Sequence, residues 1–156
     1  MKTNEKEKYY ATYIKSAQGS LGIVLILNII YILRFIIKKE FSFFFSIYSA
    51  EFMLKCGGFA EGYEKSFPAA VSIAEVILVT LIFVMLTAFA LKKTEFIKYS
   101  FVVYFIDFAF LLWGAFSNPF GDVGEGIFVD IIFHFITLVL LAVGIYAERK
   151  QKKSTK

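Results

Sequence analysis

The sequence predicts an all-α integral membrane protein, a four-helix transmembrane bundle with an interfacial helix between the first and second spans. Three observations carry this. Four apolar runs, at 19–37, 68–91, 99–116 and 127–147, are long enough to cross bilayer hydrocarbon as helices. Of the 156 residues, 58 % are apolar and the mean hydropathy is +0.68, whereas a soluble domain is about 45–50 % apolar. The basic residues, finally, gather at the ends of the runs and form no face interleaved with aromatics. That pattern sets topology and lipid contact and points away from nucleic acid.

A chain this short makes one domain, and four spans use most of it. Residues 1–18 are charged and mixed in sign, and read as a short tail with Tyr9, Tyr10 and Tyr13 near the interface. The first span has no A-x-A site after it and ends in Arg34, Lys38 and Lys39, so it reads as an uncleaved anchor. Asn28 lies near its middle. The segment at about 41–55 is too short to span and carries Ser42, Ser46 and Ser49 at helical spacing. It suits a helix lying in the outer interface, or a re-entrant segment, closed by Gly57 and Gly58. Cys56 is the only cysteine, so no intramolecular disulfide forms.

Ser66 is placed to cap the second span, with Pro68 in its first turn. That span carries Glu75, and a tight basic link at 92–98 leads into the third, which carries Asp107 near its centre and Trp113 near its end. Asn118 to Asp122 read as a turn. The fourth span carries Asp130 and His134 and runs into a basic tail, 148–156. Internal repeats and heptads are not evident, and the Ala70/Ala74 small pair is a weak packing signal.

Four spans place both termini and the 92–98 link on one side. That side holds twelve of the 17 Lys and Arg residues, against five on the other. The positive-inside rule then predicts a multi-pass protein of the cell membrane with cytoplasmic termini.

The polar residues within the runs form the candidate site. At 1.5 Å per residue, Glu75, Asp130 and His134 lie about 7, 10 and 4 Å outward of their span centres, and Arg34 about 9 Å. Glu75, Asp107, Asp130 and His134 can therefore share one layer in the outer half of the bilayer. Arg34 is a candidate counter-charge, with Tyr104 and Asn28 as supporting polar groups. An isolated charge at mid-helix costs about 2.5–3.5 kcal/mol on insertion scales, so Asp130 and His134, one turn apart, are expected to face inward.

Three uses of this layer follow from its chemistry. Polar groups between membrane helices act as glue, which fits a non-enzymatic accessory or partner-binding subunit. Acids and an imidazole also suit a proton- or cation-handling site in a transporter or sensor. The same four residues are a weak metal set, because there is one histidine and no H-x-x-x-H or C-x-x-C. An enzyme would cast His134 as base and Asp130 as its orienter, yet the sequence places no nucleophile, and Ser72 and Thr80 read as residues that bond their own backbone. The sequence names no cofactor. Its expected partners are the lipid bilayer and a membrane protein or second copy.

Overall fold

A computed structural model describes residues 2–38, 47–59, 65–117 and 126–154. It contains five α-helices: α1 (Lys2–Lys38), α2 (Tyr48–Cys56), α3 (Ala69–Lys92), α4 (Ile97–Ser117) and α5 (Gly126–Ser154). A 3₁₀ turn, Thr94–Phe96, leads into α4. Four of the described helices are long and apolar enough to cross a membrane, and this is the four-helix bundle of a multi-pass membrane protein. The long helices form a ring in which α1 packs on α5, α5 on α4, α4 on α3 and α3 on α1, while α2 is wedged against α3 and α4.

Two ends differ from expectation. Of the expected tail at 1–18, residues 2–18 are the first half of α1, because they contain no glycine or proline to stop a helix. Ile14 and Ala17 are buried there, and Ala17 meets α5 at Gly144, where an added Cβ would collide with the Ala17 methyl. The basic stretch after 147 is likewise helical, to Ser154. Thus α1 and α5 run on together past the apolar stretch.

The buried stripes show how the ring is built. In α1 they are Ile14, Ala17, Leu21, Val24, Asn28 and Tyr31; in α4, Ile97, Ser100, Tyr104, Asp107, Leu111 and Gly114. Both sets step by three and four, the spacing of helices packed along their length. Hydropathy hides this spacing. Lipid-facing residues such as Ile26, Ile30, Ile106 and Phe105 are as apolar as the buried ones, and lipid exerts no preference for burying them.

The connection from α2 to α3 is closed by backbone. Gly58 takes φ +72°, the left-handed conformation glycine adopts without steric penalty. Phe59 N–H then donates to the Leu54 carbonyl at 3.2 Å. Ser66 does not cap α3: its amide, with that of Phe67, donates to the Cys56 carbonyl at 2.8 and 3.0 Å. Pro68 occupies the cap position of α3, with no side-chain cap bond. Ser66 therefore serves the end of α2 instead of the start of α3.

Candidate functional site

Helix α2 has nine residues, too few to be stable alone in water. Its start is held by side chains from two other helices. Asp107, the middle residue of α4, accepts the Tyr48 amide on Oδ2 at 3.0 Å. On Oδ1 it accepts the Ser49 amide at 2.9 Å and the Ser49 hydroxyl at 2.7 Å. Asn28 Oδ1 of α1 accepts the Ile47 amide at 3.2 Å. The first amides of a helix have no partner within it and carry the positive end of its dipole, so a carboxylate there is favourable twice over. Here the cap comes from a distant helix, and no side chain of α2's own start caps it.

These bonds fix where α2 begins. Asn28 lies ten residues before the end of α1, about 15 Å along its axis. Asp107 is halfway along α4. Ile47 and Ala50 are fully buried. The helix then runs along α4 toward that helix's C-terminal end: Phe52 meets Phe110 and Trp113 at ring-centroid distances of 4.9 and 5.9 Å, and Gly57 lies beside Ser72 in the first turn of α3. A helix lying flat on the outer surface was one of the two arrangements expected for about 41–55. The described part, Tyr48–Cys56, starts beside the middle of α4, where its first-turn amides find their acceptors at Asp107. Ser42 and Ser46 lie outside the described residues.

His134 of α5 completes the site. Nδ1 donates to the backbone carbonyl of Asp130 at 2.8 Å, and Nε2 faces Asp107 Oδ2 at 3.4 Å. The imidazole lies parallel to Tyr104, 4.9 Å between centroids and 3° between planes, and Phe108 stacks at 6.1 Å. His134 and Asp107 are almost wholly buried. Asp130 touches His134 through its main-chain carbonyl, so the expected i, i+4 contact runs to the backbone. Tyr104 brings its ring to the site, where the sequence suggested a hydroxyl donor to Asp107.

The remaining predicted residues lie around this core. Glu75 is half-buried on α3, near enough to Asp107 to couple electrostatically, and its Oε2 is buried with no hydrogen-bond partner among the described residues. Asn28 Nδ2 and the hydroxyls of Ser72 and Thr80 are also buried without such a partner, so the two hydroxyls do not make the backbone bonds expected of them. Arg34 is exposed near the end of α1. No three His, Cys, Asp or Glu side chains among the described residues come together as a metal site. The suggested set of Glu75, Asp107, Asp130 and His134 is not one, because Asp107 spends its oxygens on α2 and His134 spends Nδ1 on a carbonyl.

Two features escaped the sequence reading. Ser49 was noted only as part of a serine stripe, although a serine at a helix start is a capping signal. Glu51 and Lys55 form a buried ion pair at 2.8 Å within α2; their i, i+4 spacing was the available signal. A cavity of about 210 Å³ opens between α3 and α4, walled by Val79, Ile82, Phe83, Val103, Ile106 and Phe110, with Ser49 and Asp107 its polar members.

Compared with known family models, curated proteins and solved structures, the chain matches none.

Proposed function

We propose that this membrane protein is a non-enzymatic subunit whose buried polar layer is structural. The layer anchors α2 as a re-entrant helix, open toward the outer face of a cell membrane, with both termini cytoplasmic. The reading rests on Asp107. A carboxylate has about four acceptor positions. Asp107 meets Tyr48 N–H, Ser49 N–H, Ser49 O–H and His134 Nε2. Three of these are donors from α2, so the carboxylate is committed to holding that helix. What supports the orientation is the charge balance, twelve basic residues against five. The apolar outward faces, such as Ile23, Ile26, Ile30 and Leu33 of α1, are where lipid or a partner membrane protein packs.

The test is to compare stability with ion movement. In proteoliposomes under an imposed pH or cation gradient, the purified chain is expected to conduct no more than empty vesicles. Asp107→Ala is expected to lower its unfolding midpoint and expose Cys56, the buried thiol at the end of α2. A flux above background that Asp107→Asn abolishes would replace this reading with the transport one.

A further inference from the structure

We infer that Asp107 and His134 hold one proton between Oδ2 and Nε2, and that this proton latches α2 into the bundle. The inference rests on the structural reading above and adds a ligand, the proton, to the same site.

Hydrogen-bond accounting carries the argument. The Asp130 carbonyl can only accept, so His134 Nδ1 carries a hydrogen. A neutral ring would then present a bare Nε2 lone pair to Asp107. Oδ2 of an ionised Asp107 is also bare on that side, and two acceptors at 3.4 Å repel. One proton between them removes the conflict. The three donors from α2 all bind Asp107 as an acceptor, which suits an ionised carboxylate. The proton then belongs to the ring, and the pair is imidazolium–carboxylate, neutral in sum. The faces of Tyr104 and Phe108 lie against the same ring and are complementary to a cation.

The mechanical consequence follows from the shared oxygen. Oδ2 holds both the latch proton and the Tyr48 amide. When base takes the Nε2 proton, the ring is left neutral and Asp107 keeps its charge, so the carboxylate must turn from the bare nitrogen. Turning it pulls on the two first-turn amides that fix α2. Docking is therefore complete while the ring is charged and weakens when Nε2 loses its proton. The other ionisable groups that face the pair are Glu75 from α3, Tyr104 from α4 and Asp130 beside His134 on α5; Tyr31 of α1 couples to Asp130 and to Glu51, which pairs with Lys55 on α2. None of them supplies a hydrogen bond to Nε2 that would replace the proton.

The chain suits a direct test, since it has one histidine and one cysteine. With ¹⁵N-histidine in lipid nanodiscs, nitrogen shifts report each ring nitrogen separately, and maleimide reactivity of Cys56, normalised to the unfolded chain at each pH, reports release of α2. While both nitrogens are protonated, Cys56 is expected to be protected. Loss of the Nε2 proton, followed in the nitrogen shifts as pH is raised, is expected to raise Cys56 reactivity about tenfold in step. His134→Gln, whose amide N–H donates at every pH, is expected to keep Cys56 protected throughout. A bare Nε2 while Cys56 is protected overturns the latch, and so does Cys56 protection that ignores the ring's charge or a His134→Gln variant that still opens with pH. Asp107→Ala separates the two claims. If it exposes Cys56 at all pH values while the wild type is insensitive to pH, the structural reading stands and the latch falls; if it leaves Cys56 protected, both fall. Should Asp107→Ala fail to fold, Ser49→Ala, which removes one donor only, is expected to raise Cys56 reactivity in the same direction, and an unchanged rate counts against both.

Discussion

At the scale of residues, the energetics concentrate on Asp107. Removing one member of a buried hydrogen-bonded pair leaves the others uncompensated, at about 3–5 kcal/mol. Asp107→Ala strands two amides, a hydroxyl and the His134 ring, so a loss of that size is expected in equilibrium unfolding. Ser49→Ala deletes a single bond to a charged group, for which about 1.5–3 kcal/mol is expected in the same assay. Glu75 has the opposite character. Its Oε2 is buried with no partner among the described residues, so Glu75→Gln is expected to leave stability unchanged or raise it by about 1 kcal/mol. A destabilisation as large as that of Asp107→Ala would show that Glu75 belongs to the anchor. Asp130 and His134 are the pair the sequence expects to face inward, because charge is expensive in lipid. Which atoms meet could not be read, since four polar residues at similar depth allow many pairings. Ser49, the actual partner, sits among aromatics that gave no sign of depth.

At the scale of elements, α2 and the α1–α5 seam each depend on one glycine. Gly114 of α4 makes room for the Tyr48 ring, and a Cβ there would occupy the space of its hydroxyl end. Gly114→Ala is expected to cost about 1–3 kcal/mol and to raise Cys56 reactivity, because Tyr48 is the first residue of α2. Gly144→Ala forces α1 from α5 at Ala17 and is expected to cost a similar amount. Ala17→Gly in the same chain returns the space, less about 1 kcal/mol for a mid-helix glycine. A double variant no more stable than Gly144→Ala alone would show that the seam does not set the spacing. The existence of the long helices was legible in the runs of apolar residues. Their inner faces were not, because a helix surrounded by lipid is apolar all round. The stripes of α1 and α4 emerge only once their small and polar members, Ala17, Asn28, Ser100, Asp107 and Gly114, are seen on one face. The ends of α1 and α5 were missed for another reason: charged residues end a span without ending a helix.

At the scale of the molecule, the four long helices are a frame and α2 is the part they hold. The frame is of a kind that many sequences make. What distinguishes this chain is a short helix whose start is placed at mid-height by acceptors on α1 and α4. Hydrogen exchange at the Tyr48 and Ser49 amides tests that claim most directly, since first-turn amides of a short helix ordinarily exchange freely. The account predicts that in the wild type both are protected to the level of the α4 core, and that Asp107→Ala removes the protection while the centres of α1 and α5 keep theirs. Rapid exchange at both amides in the wild type, or protection that survives Asp107→Ala, would contradict it.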